Sequence, residues 1–109
     1  MKGKRAKACD ITPAVKQRVW ERDEGCCVVC GNRVNVMPNA HYISRAHGGL
    51  GIEQNIVTLC TDFTANRCHS RFDNGTAEER KIIGAAIRRY LMGKYPGWNE
   101  ANLIYTKGA

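Results

Sequence analysis

The chain has 109 residues and a mass of 12.2 kDa, and its 17 Lys and Arg residues outnumber its 10 Asp and Glu residues. A chain of this length forms one small domain, whose core is marginal unless a cross-link or a metal ion reinforces it. Its longest apolar run is too short to cross a bilayer, and no apolar stretch follows its basic N-terminus, which argues against a membrane protein and an exported disulfide protein. The formal net charge of +7 favours a polyanionic partner, most often nucleic acid, and the composition suits a cytoplasmic location.

The N-terminal segment, residues 1–10, is predicted to be a flexible basic arm, because its lysines and arginine stand among small residues with no apolar periodicity. Lys4 and Arg5 are its candidate DNA contacts, and a solubilising tail is the equal alternative. Residues 11–109 are expected to form a single domain. Within it, Thr12 followed by proline predicts the start of a helix that extends toward Gly25.

Short strands are predicted over residues 34–37 and 40–43, with a turn at 38–39, and a third strand is predicted over residues 56–59. The intervening residues 44–55 contain three glycines and are predicted to form a long loop.

Two further helices are predicted in the second half of the chain. One is expected to begin near residues 65–67. The other begins at Thr76, which has Glu79 three positions later as the second half of a capping box, and Gly93 is expected to end it.

Four of the six cysteines have the distribution of a metal site. Cys27 and Cys30 form a C-x-x-C motif followed by glycine, the spacing that directs two thiolates at one tetrahedral ion. Cys60 and Cys68 form a second pair, separated by residues 61–67, which must bulge out as a loop. The four cysteines predict a structural zinc site, which would supply the stability that a small core lacks.

Other assignments of the cysteines stay open. Cys26 neighbours Cys27 and could replace it, although Cys27 and Cys30 make the tighter match. Cys9 is expected to be a free thiol in the arm. A redox pair at Cys27 and Cys30 is disfavoured, because such a pair would need a helix directly after it and a helix-breaking Gly-Asn follows.

Two histidines and an asparagine lie beside the predicted strands and the second cysteine pair. His41 ends a predicted strand, Asn55 precedes the strand at 56–59, and His69 directly follows Cys68. Asp73 lies one helical turn after His69, so the two side chains can hold one divalent cation between them. The plainer alternatives are that Asn55 only caps a turn and that Asp73 pairs with a neighbouring arginine, Arg67 or Arg71.

Taken in order, these pieces resemble the zinc-containing HNH endonucleases. The resemblance rests on C-x-x-C-G, on Ala-His-Tyr-Ile-Ser-Arg at 40–45, on Gly-Gly at 48–49, on Asn-Ile-Val-Thr-Leu-Cys at 55–60 and on the Cys-His pair at 68–69. It implies an α+β fold: a small ββα-metal (His-Me finger) domain with a four-cysteine, zinc-ribbon-like site and flanking helices. The tail after residue 88 is similar to HNH proteins of bacteriophages and prophages, which implies a role in genome packaging with a phage terminase and portal, in the host cytoplasm.

The resemblance implies hydrolysis of DNA phosphodiester bonds by nicking or double-strand cleavage. It makes His41 the general base, Asn55 the residue that holds this base in position, and His69 a ligand of a catalytic divalent metal such as Mg²⁺, Mn²⁺ or Ni²⁺. We add Asp73 as a second metal ligand, with Asn55 as a further candidate, and Arg45 as a phosphate clamp, because guanidinium groups bind phosphate oxygens in a bidentate fork.

Ala40 departs from the family pattern. Many HNH proteins carry Asp or His immediately before the base as a metal ligand, and alanine cannot coordinate a metal. This departure favours a second hypothesis, a catalytically weak or inactive zinc-ribbon DNA-binding module. A third hypothesis, a redox protein that uses Cys27 and Cys30, predicts that no zinc is tightly held.

Overall fold

Four α-helices and one two-stranded antiparallel sheet form the part of the chain that the structure, a computed structural model, describes: residues 3–107. The elements are α1 (Lys4–Cys9), α2 (Pro13–Arg22), β1 (Val36–His41), β2 (Ile56–Cys60), α3 (Cys68–Asn74) and α4 (Ala77–Lys94), with short 3₁₀ helices at Arg45–His47 and Glu100–Leu103. The predicted α+β class is confirmed. No helix within residues 3–107 combines the length and the hydropathy that a bilayer span requires.

The sheet differs from the predicted pair of strands around a turn. A single strand, β1, passes through residues 38–39 as a bulge between Met37 and Ala40. Pro38 explains the difference, because proline cannot donate a ladder hydrogen bond and is accommodated in a strand at a bulge. The predicted strand at 56–59 is confirmed as β2, all of whose residues are buried. The register pairs Val36 with Cys60, Met37 with Leu59, Ala40 with Val57 and His41 with Ile56.

The described part of the predicted N-terminal arm is helical. Lys4–Cys9 forms α1, and Cys9 is buried. The helix packs on the loop that follows β1, where the Gly51 backbone N–H donates to the Ala8 carbonyl over 2.9 Å. A Cβ at Gly51 would lie 2.0 Å from the Asp10 carbonyl oxygen, so glycine is what permits this approach. Met1 and Lys2, which belong to the predicted arm, lie outside the described residues.

The predicted helix starts with capping signals are confirmed. The Thr12 side chain accepts from the Val15 N–H with proline in the first turn of α2, and Thr76 and Glu79 form the capping box of α4. The ends differ from the predictions. Helix α2 stops at Arg22, before Gly25, and α4 continues through the predicted stop to Lys94. Proline at 96 ends α4, because the residue before a proline is driven out of the helical region.

The main core lies between the sheet and α4. Ile83, Ile87 and Leu91 on one face of α4 pack with buried residues of β1 and β2, and three of the cysteines belong to the same cluster. Helix α3 begins directly at Cys68, slightly later than predicted, and also contacts α4. The end of β1, the start of β2 and α3 are thereby fixed around a common core.

Candidate functional site

The four predicted cysteines converge in the structure. The Sγ atoms of Cys27, Cys30, Cys60 and Cys68 all lie within 4.8 Å of one another, and the Cys30 and Cys60 sulfurs are 3.8 Å apart. A tetrahedral ion with Zn–S bonds of about 2.3 Å needs sulfurs about 3.8 Å apart. The set therefore fits a metal ion of zinc's size and geometry, and Cys26 lies outside it.

Local backbone structure explains why these sulfurs meet. Gly31 adopts a left-handed conformation with a φ of 79° and donates its N–H to the Cys27 carbonyl over 2.9 Å, which closes the knuckle. Cys60 ends β2, and residues 61–67 loop out as predicted. The chain returns so that the Cys68 backbone N–H donates to the Cys60 Sγ over 3.1 Å.

The cluster gives its thiols unequal acidity. Burial raises the pKa of Cys68 far above its ordinary value, and the neighbouring Cys60 and Cys27 add to the effect. At Cys30, hydrogen bonds led by the Asn66 side chain outweigh partial burial and lower the pKa to about 7. Four thiolates cannot share so small a volume unless a cation replaces their protons, which is the charge balance of a metal–thiolate centre.

His41 is the last residue of β1, and one of its ring nitrogens is hydrogen-bonded to the backbone. Its Nε2 lies 2.8 Å from the Cys9 carbonyl oxygen in α1. A carbonyl oxygen only accepts hydrogen bonds, so Nε2 carries the proton and Nδ1 of the neutral ring is the basic nitrogen. Burial is the main cause that lowers the pKa of His41 below its usual 6.5, with a contribution from the charge of Arg45, although the bond to Cys9 opposes the shift.

Asn55 is fully buried and clamps the loop that follows His41. Its Oδ1 accepts from the Ile43 N–H over 2.8 Å, and its Nδ2 donates to the carbonyls of Ile43 and Leu50 over 3.1 and 2.9 Å. Its own backbone carbonyl accepts from the Tyr42 N–H over 2.8 Å. All of these hydrogen bonds join the Asn55 amide to the loop and hold that loop in place. The suggestion that Asn55 also ligates a metal does not fit the structure, because its side chain is buried and bonded to this loop.

His69 and Asp73 lie together on α3. The distance from His69 Nε2 to Asp73 Oδ2 is 3.1 Å, and both side chains are partly exposed. The alternative pairing of Asp73 with a neighbouring arginine is wrong: Arg71 pairs with Glu79, and Arg67 lies beside Asp62. An open cavity of about 520 Å³ brings the predicted residues together; its lining comprises Asn39, His41, Ser44, Arg45, Ala46, His69 and Asp73.

The three basic residues predicted to contact DNA, Arg45, Lys4 and Arg5, line two different cavities. Arg45 lines the cavity with its guanidinium held from two sides, by the Cys9 carbonyl and by Asp10 Oδ1, each over 2.9 Å. Arg5 donates instead to the Ala46 carbonyl over 3.0 Å, and with Lys4 it lines a separate cavity of about 750 Å³.

Sequence reasoning missed two features of the site. One is the bond between His41 and the Cys9 carbonyl, which the sequence does not indicate because every residue type has a backbone carbonyl. The other is a second opening of about 570 Å³ that shares His41 and Asp73 and adds Arg80 and Lys81 from α4. Helix α4 contains several basic residues, and the sequence does not show which of them line the cavity.

Comparison of the chain with protein-family models, with curated proteins and with solved structures found no match. A neutral imidazole with a free nitrogen, an imidazole–carboxylate pair and a held guanidinium around one open cavity can deprotonate a water, bind a divalent cation and bind an anionic oxygen.

Proposed function

We propose that this protein is a divalent-metal-dependent HNH endonuclease that hydrolyses DNA phosphodiester bonds and leaves 5′-phosphate ends. The observation that carries the proposal is that His41, His69 and Asp73 line one cavity while Asn55 clamps the loop beside it. Strands β1 and β2 followed by α3 supply these residues in the order that a ββα-metal domain requires.

His41 is the general base in this proposal. Phosphodiester hydrolysis needs a deprotonated water in line with the departing oxygen, and a neutral imidazole is well suited to remove that proton near pH 7. The bond from Nε2 to the Cys9 carbonyl leaves Nδ1 to accept the proton and holds the ring in one orientation. Asn55 contributes by fixing the backbone that follows the base.

His69 and Asp73 would hold the catalytic cation, Mg²⁺, Mn²⁺ or Ni²⁺. Their ligand atoms are 3.1 Å apart on one face of α3, a separation that lets one cation contact both. When bound, such a cation neutralises charge that develops on the phosphate and the leaving oxygen. Arg45, held by two partners at the rim, would bind a phosphate oxygen, and the net charge of +7 favours approach of the DNA backbone.

A structural zinc ion in the four-cysteine cluster completes the proposal. The cluster includes Cys60, which ends β2, and Cys68, which begins α3, so zinc would fix the direction in which His69 leaves the helix start.

A plasmid-nicking assay tests the proposal. Zinc-loaded protein is expected to nick or linearise plasmid DNA with Mg²⁺, Mn²⁺ or Ni²⁺, and His41→Ala and His69→Ala are each expected to lower the rate at least about 100-fold. His47→Ala is the matched control, since within residues 3–107 the side chain of this exposed histidine bonds the loop residue Ser44 and no other. Absence of cleavage with every metal, or equal cleavage by His41→Ala, would refute the nuclease.

A zinc-dependent DNA-binding module without cleavage is the second candidate. Ala40, the residue before the base, is fully buried in the core and offers no ligand atom to the cavity. Salt-sensitive DNA binding that is unchanged by His41→Ala, together with no metal-dependent cleavage, would support this candidate over the nuclease.

A further inference from the structure

The alternation of side chains at the end of β1 determines which of them face the cavity. Side chains alternate along a strand, so residues two apart share a face. Ala40 is buried in the core, whereas Asn39 and His41 on either side of it line the cavity of about 520 Å³. This alternation places the Asn39 amide on the same face as the base.

The carbonyl oxygen of that amide lacks a protein partner. Asn39 Oδ1 is buried and has no hydrogen-bond partner among residues 3–107. Buried polar atoms are almost always paired, and an unpaired one destabilises the fold, so a partner outside the protein is indicated.

The surroundings of Asn39 identify the kind of partner. Asn39 lines two cavities, and both also contain His69 and Asp73. An amide oxygen, a carboxylate oxygen and an imidazole nitrogen form a ligand set for a hard or borderline divalent cation such as Mn²⁺. The amide does not titrate, so it keeps its ligand atom at every working pH.

We propose that Asn39 Oδ1 is a third protein ligand of the divalent cation held by His69 and Asp73. The inference rests on the proposed function for the identity of this cation as the catalytic one. Strand alternation explains the placement, because it keeps Ala40 in the core and leaves Asn39 on the face that lines the cavities with His69 and Asp73.

Isothermal titration of Mn²⁺ into zinc-loaded protein tests the assignment without relying on activity. Asn39→Ala is expected to weaken Mn²⁺ binding about 10-fold or more, as loss of a metal-site partner typically does. Asn39→Asp is expected to tighten it, because a charged oxygen replaces a neutral one at the same place. Asn102→Ala, at an exposed asparagine away from the cavity, is the matched control and should bind Mn²⁺ as the unmodified chain does.

The paired variants separate ligation from folding, because a folding defect cannot tighten binding. If Asn39→Ala and Asn39→Asp both keep the original Mn²⁺ affinity while His69→Ala loses it, Asn39 bonds only a water and the assignment is overturned. The nuclease survives that outcome as long as Mn²⁺-dependent nicking persists. If the unmodified protein binds no Mn²⁺ and cuts no DNA, the assignment and the proposed function fail together.

Discussion

The neighbours of His41 act on the pKa of its imidazole in opposite directions: the Cys9 carbonyl and Asp73 raise it, whereas Arg45 and His69 lower it. The Cys9 carbonyl stabilises the proton on Nε2, while the Arg45 guanidinium disfavours a second positive charge nearby. Burial and the charge of Arg45 together outweigh the bond to Cys9 and lower the pKa of His41, so the imidazole is neutral at pH 7. A base that is neutral, oriented and partly shielded is what the proposed chemistry needs.

This balance predicts the pH dependence of DNA cleavage. The base works only when deprotonated, so the nicking rate should rise as pH increases through the lowered pKa of His41, with the midpoint of the rise below pH 6.5. Arg45→Ala removes a charge that lowers this pKa, and the rising limb should then move to higher pH. Rates measured from pH 5 to 8 at saturating Mn²⁺ check both expectations. A limb centred above pH 6.5 in the unmodified protein would contradict the role of His41.

Single residues of the site were predictable where the chemistry depends on side-chain type and order. The spacing of the four cysteines predicts their cluster, and the resemblance to HNH proteins singles out His41, Asn55 and His69. The Cys9 carbonyl could not be identified, because any residue type presents the same backbone atom. The role of Asn39 was hidden for a related reason, since Pro-Asn indicates a turn more often than a bulge.

Among the helices, the starts that have capping signals were predictable from the sequence, whereas α1 was not. Helix starts depend on side chains that act within one turn, such as Thr76 and Glu79 in α4. Helix α1 depends on a distant loop: its end bonds Gly51, and its last carbonyl bonds His41 and Arg45. Six residues rarely hold a helix alone, so local sequence gives little warning of one that tertiary contacts stabilise.

The contact at Gly51 predicts what happens when α1 is displaced. Gly51→Ala places a Cβ 2.0 Å from the Asp10 carbonyl and should push α1 off the loop. His41 then loses the partner that fixes its tautomer, and the nicking rate should fall about 10-fold or more. The Cys9 thiol, which is buried in the unmodified protein, should become exposed and react faster with a thiol reagent. The rate is measured in zinc-loaded protein, with Cys9→Ser as the background.

Gly93→Ala is the matched control, because a Cβ there would have no atom of the described residues outside its own helix turn within 4 Å. It should leave cleavage and thiol reactivity unchanged and stabilise α4 by about 0.5–1 kcal/mol. If Gly51→Ala behaves like Gly93→Ala, the docking of α1 does not position the base.

The core of residues 3–107 includes three of the four clustered cysteines. Cys27, Cys60 and Cys68 belong to the same cluster as the apolar face of α4. The sheet has only two strands, and a pair of strands is marginally stable unless another layer covers it. The short chain and the cysteine spacing predict a stabilising metal site in this core, whereas the packing of α4 on the cluster could be seen only in the three-dimensional arrangement.

Removing one ligand should therefore affect the entire fold. In small modules a structural zinc contributes on the order of 10 kcal/mol, so Cys60→Ser is expected to abolish tight zinc binding and cooperative thermal unfolding. Cys26→Ser is the matched control: this cysteine is adjacent to Cys27 but outside the cluster, and its Sγ donates to the Glu24 carbonyl. Zinc content by elemental analysis and melting by circular dichroism give the two readouts. One zinc per chain with unchanged melting in Cys60→Ser would show that the four thiolates do not hold the core together.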